Sequence, residues 1–164
     1  MGRVYTGPPM RSAHKTGVIL VAVALTPMLL VLPRHGRGED ANDRDFGDYV
    51  VHFSAISTDQ LLAGVASQYG IERSARRGLL NVSVERKGAP APHTVSADVV
   101  AEVRDLSGHR QPVPVRETSE NGDIDYLGEF PLGGSGTYLF TLRVTPPGRV
   151  QPYVVTFNQD YVVD

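Results

Sequence analysis

Gly136-Thr137-Tyr138-Leu139-Phe140-Thr141-Leu142-Arg143-Val144 alternates along its length, with Tyr138, Phe140, Leu142 and Val144 set against Leu139, Thr141 and Arg143. Side chains on a strand point to opposite faces in turn, so this spacing puts four large apolar groups on one face of a sheet. Pro146-Pro147-Gly148 ends the strand, and Val150 to Val162 supplies another, with Tyr153, Val155, Phe157 and Tyr161 in phase. Working backwards, Ile124, Tyr126, Gly128 and Phe130 mark a further strand, entered from the hairpin signal Asn121-Gly122. Gln111 to Thr118 reads as an edge strand, because Pro112 and Pro114 have no N–H to give to a ladder. Thr94 to Val103 alternates through Val95, Ala97, Val99, Ala101 and Val103, and Leu79 to Glu85 is a shorter strand. Tyr49 to Ile56 comes first, with Tyr49, Val51, Phe53 and Ala55 on one face. Between these two, Ser57 and Gln60 have the spacing of a capping box. Leu61, Leu62, Val65, Ala66 and Tyr69 then follow at helical spacing up to a stop at Gly70, which suits a left-handed C-terminal cap. The expectation is an all-β Greek-key sandwich of about seven strands over residues 48–164, with one short helix after the first strand plugging an end or edge of a sheet.

The opening stretch sharpens this. Gly136-Thr137-Tyr138-Leu139-Phe140 resembles the G-x-Y-x-C segment that opens strand F of immunoglobulin-like domains, where the Tyr hydroxyl turns back to bond the preceding corner. Phe140 stands in the place of the Cys, so packing must replace a cross-link that contributes roughly 2–5 kcal/mol in small secreted domains.

Composition removes several classes of function. The 164 residues include no Cys, which excludes disulfides, thiolate metal sites and thiol nucleophiles. All 18 acidic residues lie at or after Glu39, where 11 Lys and Arg remain, a net charge of −7. Such a domain repels phosphate backbones and anionic membranes, so neither nucleic acid nor a membrane surface is expected as a partner; its pull is on cations and basic partners.

Residues 1–38 read as an export segment. Arg3, Arg11 and Lys15 precede the apolar run Val18 to Leu32, whose 15 residues match a signal-peptide core and fall short of the roughly 20 that span a bilayer. Gly36 and Gly38 allow cleavage before Glu39, while Arg34, His35 and Arg37 crowd the site, so an uncleaved anchor through residues 18–32 stays open. Residues 39–47 are acidic and polar and read as a linker. Asp43, Asp45 and Asp48 cluster there, but Gly47 sits where an EF-hand loop needs an oxygen ligand and no Glu follows at its twelfth position.

Three stretches carry a resemblance. They are Gly47-Asp48-Tyr49-Val50-Val51-His52-Phe53; Tyr69-Gly70-Ile71-Glu72-Arg73-Ser74 with Arg77-Gly78-Leu79-Leu80-Asn81-Val82-Ser83-Val84; and Tyr126-Leu127-Gly128-Glu129-Phe130-Pro131 leading into Phe140-Thr141-Leu142. Together they resemble an uncharacterised family of small exported bacterial proteins, catalogued only as a domain of unknown function. The resemblance implies a periplasmic sandwich domain in a Gram-negative bacterium, and it implies no catalytic residue, cofactor or partner.

Chemistry is sparse. Ser135 lies in Gly133-Gly134-Ser135-Gly136-Thr137, which lacks the last Gly of a nucleophile elbow. Asp123 and Asp125 share a strand face, where a solvated strand end is the ordinary role. His52 alone among five His falls inside a strand, on the face opposite the apolar set. Arg73, Arg76 and Arg77 form the one basic concentration of the acidic domain; guanidinium forks bind carboxylates or phosphates, and equally pair with neighbours such as Glu72. The expectation is a non-enzymatic envelope module that binds a protein or peptide, with the strand around Val113 and the final strand as edges for strand addition. The alternative is a periplasmic binder of a small ligand or ion using His52, Arg73 and Arg77. No cofactor and no resident metal is implied.

Overall fold

The hairpins expected from the sequence form and stack as two antiparallel sheets. In the computed structural model, residues 42–88 and 90–163 are described. The chain divides into residues 1–37 and 38–164, and the segment read from the sequence as an export signal or anchor lies outside the described residues. The strands are β1 (Asp43–Asp45), β2 (Tyr49–Ser57), β3 (Arg77–Arg86), β4 (His93–Thr94), β5 (Asp98–Arg104), β6 (Arg110–Val113), β7 (Val115–Glu120), β8 (Asp123–Pro131), β9 (Gly136–Thr145) and β10 (Tyr153–Tyr161), with helix α1 at Ala63–Tyr69. One sheet runs β1-β2-β3-β8-β7 with β4 beside β3; the other runs β10-β9-β5-β6. This is the immunoglobulin-like arrangement, with β2, β3, β8 and β7 in the places of strands A, B, E and D, and β5, β9 and β10 in those of C, F and G.

The core lies between the sheets and is built from the alternating positions. Val51, Val82, Val84, Val103, Phe140, Leu142 and Val144 are fully enclosed. At the position of the missing Cys, Phe140 stacks on Phe157 with centroids 4.7 Å apart and meets Phe130 edge-on at 5.3 Å. The Tyr138 hydroxyl donates to the Gly134 carbonyl at 2.9 Å and accepts from the Gly134 N–H at 3.3 Å, the expected return to the corner. Asn121 and Gly122 both take positive φ, 53° and 93°, and join β7 to β8 as a two-residue turn. Positive φ at both central residues gives a turn whose twist matches that of the flanking strands.

The segment read as one edge strand is two. At Pro114 the chain leaves the four-stranded sheet, where β6 pairs with β5, and enters the other, where β7 pairs with β8. Gly128 faces this crossing: a Cβ there would lie 2.7 Å from Val113 Cγ1 and 2.9 Å from Val115 Cγ1. The absence of a side chain is what lets the bend close on β8.

Three local expectations are corrected. Part of the acidic linker, Asp43–Asp45, pairs with β2 as an edge strand, and the Asp45 carboxylate bonds the Lys87 ammonium. Ser57 does not cap the helix. Its hydroxyl bonds the nearer Asp59 carboxylate, the chain makes a 3₁₀ turn over Thr58–Gln60, and α1 starts only at Ala63. Finally, α1 covers a face of a sheet and plugs no end. Leu61, Ala66 and Ile71 pack on Leu79 and Leu127, which point outward from the six-stranded sheet, while Leu62 stays exposed. The helix does end as expected, at Gly70 in the left-handed region.

Candidate binding site

His52, Arg73 and Arg77 do not meet. His52 faces outward from β2 opposite Ser83 of β3, and its Nε2 lies 3.9 Å from Glu85 Oε2. Arg77 begins β3, six residues before Ser83. At about 3.3 Å per residue that is roughly 20 Å along the strand, too far for one small ligand to touch both side chains.

The arginines are instead held by local acids and carbonyls. Arg73 Nη2 donates to the Asp59 carbonyl at 2.6 Å. Arg77 places Nη2 3.4 Å from Glu72 Oε2 and Nη1 3.4 Å from Glu129 Oε2. Beneath them Thr58 is fully buried. Its hydroxyl accepts from the Ser74 N–H at 2.9 Å and donates to the Glu72 carbonyl at 2.8 Å, with the Ser74 carbonyl at 3.1 Å as second acceptor. The loop after α1 is thus fastened to the 3₁₀ turn before it.

Sequence reasoning passed over the polar ground beyond the helix. Asn81 stands on β3 between Ser54 and Leu127. Its side chain bonds Asp125, and its buried Oδ1 has no hydrogen-bond partner among the described residues. Burial pushes the Asp125 carboxyl up, the Asn81 bond pulls it down, and Asp123 and Glu120 push it up further. The signal in the sequence was Asn81 itself, a polar residue inside an apolar strand. Nearby, the Tyr69 hydroxyl donates to Glu120 at 2.6 Å, and that bond, with burial and the nearby carboxylates, raises its pKa to about 12. Gln68 also reaches Glu120, and Arg116 Nη2 donates to the Tyr69 carbonyl at 2.7 Å, so the C-terminal end of α1 is tied to β7.

The remaining polar groups that the sequence singled out are engaged or dispersed among the described residues. Ser135 Oγ accepts from the Val163 N–H at 2.8 Å and donates to its carbonyl at 3.2 Å, which occupies the hydroxyl. No three His, Asp or Glu among the described residues are placed to share a metal ion. A groove of about 170 Å³ on the outer face of the four-stranded sheet, between Val100, Glu102, Arg110, Pro112, Thr141 and Arg143, is below the roughly 300–1,000 Å³ of ordinary ligand pockets.

The sheet edges differ more. β1 has three residues, and β6 has four including Pro112. β7 carries Arg116, Glu117 and Glu120 and is tied to the helix. β10 has nine residues, with Asp160 its one charge and no proline.

Comparison with known proteins agrees with this architecture. No curated protein matches the sequence. A DUF4426 family protein from Pseudomonas aeruginosa, known at 2.09 Å resolution, is 33% identical and superposes with a TM-score of 0.63 over 74% of this chain and 94% of that one. FetP from uropathogenic Escherichia coli strain F11, expressed recombinantly in the periplasm, is 12% identical with a TM-score of 0.55, over 73% of this chain and 92% of that one. A copper-bound variant of FetP is likewise 12% identical, with a TM-score of 0.53 over 74% and 94%. At that identity the FetP likeness shows the fold alone. The family described as a domain of unknown function, DUF4426, matches residues 43–164, and the chain belongs to it.

Proposed function

We propose that this DUF4426 protein is an exported, non-enzymatic module of the bacterial envelope that works by binding a protein or peptide at an open sheet edge. The observation that carries the reading is the contrast between β10, a long strand at the end of its sheet among the described residues, and chemical groups that are dispersed or already engaged. An edge strand offers a row of unpaired N–H and C=O groups to an extended segment, and side chains on alternate positions add selectivity.

Export is supported by the basic segment and apolar run before residue 38 and by a fold shared with a protein produced in the periplasm. The Pseudomonas relative favours a Gram-negative envelope. No helix among the described residues is long and apolar enough to cross a membrane, which leaves residues 18–32 as the one candidate anchor.

Copper binding, which the name of the FetP variant records for that protein, finds little support here. All three Met lie at or before Met28 and the chain has no Cys, so the domain offers no soft sulfur ligand. The small-ligand reading on His52, Arg73 and Arg77 draws no support from the strand register, which sets His52 and Arg77 apart.

The test is capture from an envelope extract with the intact protein and with Thr156→Lys plus Asn158→Lys, two exposed changes that guard an edge as lysines do in natural sheets. A partner retained by the first and reduced at least tenfold on the second is expected. Equal retention by both overturns the edge reading. Turnover of an ester, phosphate or peptide that disappears in His52→Ala overturns the non-enzymatic one.

A further inference from the structure

We infer that β10 pairs with β10 of a second copy of this chain, antiparallel about a two-fold axis at Asn158, so that two four-stranded sheets join into one of eight strands. This rests on the open-edge reading above and names the occupant of that edge.

The pattern of exposed side chains selects a copy of the chain itself. Val154, Thr156, Asn158 and Asp160 of β10, and Val162 one residue past its end, are exposed; they alternate with Val155, Phe157, the half-buried Gln159 and Tyr161, of which Val155, Phe157 and Tyr161 pack on the core. The exposed row is close to a palindrome about Asn158. With Asn158 opposite Asn158 of the second copy, Val154 lies opposite Val162, and Thr156 opposite Asp160. Val154 and Val162, 53% and 78% exposed, are two of the few large apolar side chains left in water, and this one register covers all four at once. It also keeps like charges apart: each Asp160 faces a threonine hydroxyl, and the two central amides can exchange hydrogen bonds. Directly opposed side chains on antiparallel strands interact favourably when apolar or hydrogen-bonded, and like charges there are destabilising. A two-fold contact uses the same patch on both copies, which is why a self-complementary row points to a second copy.

The other edges lack this property. β6 has Pro112 in a run of four residues, β1 stops after three, and β7 carries charges and the tether to α1. Along β9, the neighbour of β10, the nine-residue ladder runs from Gly136 to Val144 without a break, so no bulge interrupts β10 where a partner strand would add.

The test uses the natural absence of cysteine. Opposed Cα atoms on antiparallel strands are about 4.5 or 5.5 Å apart, and both distances lie within the range a disulfide spans. Asn158→Cys in the full chain, treated with a mild oxidant, is therefore expected to give a covalent dimer. Thr156→Cys faces Asp160 of the second copy, and its own counterpart is four residues further on, about 13 Å away. It is expected to cross-link at least tenfold less. Both positions are exposed, so neither change disturbs folding. Equal cross-linking of both variants, or none from either, overturns the pairing. A photocrosslinking residue placed at position 158 then separates the two readings. Attachment to another protein alone overturns the self-pairing and leaves partner binding standing, and attachment to nothing overturns both.

Discussion

The outer faces of the two sheets follow opposite rules. On the six-stranded sheet Leu79 and Leu127 break the alternation and point outward, and a helix, a buried threonine and a tether to β7 cover them. On the four-stranded sheet the outward positions are Val100, Glu102, Arg104, Thr141 and Arg143, mostly polar, and no element among those described packs over them. Two out-of-phase leucines are enough to demand a third layer. Where the alternation is clean the face can stay in water, and the free edge beside it is left for other contacts.

The strongest way to break this contrast is to truncate matching outward positions. Leu79→Ala is expected to destabilise by about 2–5 kcal/mol, the range for a buried leucine. Val100→Ala, at a position 55% exposed, is expected to stay within about 0.5 kcal/mol, as surface changes usually do. Denaturant midpoints compare the two, and equal losses mean that the faces are not different in kind. The next effect concerns the fastening of the cover. Thr58→Ala leaves the part-buried Ser74 N–H and the Glu72 carbonyl without their partner and is expected to cost about 1–3 kcal/mol. Hydrogen exchange should rise first in residues 61–75, ahead of β5 and β9; a uniform rise across the domain counts against a locally fastened layer.

The smallest effect is the tether. The Tyr69 pKa is raised, first by its bond to Glu120, so the folded state holds that proton more tightly than the unfolded chain. Its contribution is therefore complete below pH 10 and is lost as the pH rises toward about 12. Tyr69→Phe should lower neutral stability by no more than about 1 kcal/mol, because the bond is exposed, and should remove this alkaline component. An alkaline profile identical to that of the unaltered protein shows that the tether does not hold in solution.

Much of the fold was legible because it rests on period two. The faces of β2, β5, β8, β9 and β10, the Asn121-Gly122 turn and the return of Tyr138 to its corner are local statements, and local spacing states them. The position of α1 was less so, although Leu79-Leu80 and Tyr126-Leu127 place apolar residues side by side where a one-faced strand has none. The sheet switch at Pro114 was visible as prolines, but which sheet each half joins depends on Gly128, distant in sequence. The candidate site was the least legible. Whether His52 and Arg77 share a ligand depends on which residues of β2 and β3 stand opposite each other, and that register comes from the whole sheet.

The bend at Pro114 has a consequence for how the gene can vary. β6 and β7 are separated by Pro114 alone and lock into different layers, so a single residue added or removed there would slip the pairing in one sheet or the other and turn Val113 or Val115 out of the interior. Length changes should accordingly gather in the Lys87–Pro92 connection, whose described residues are exposed, while the spacing from Arg110 to Glu120 stays constant.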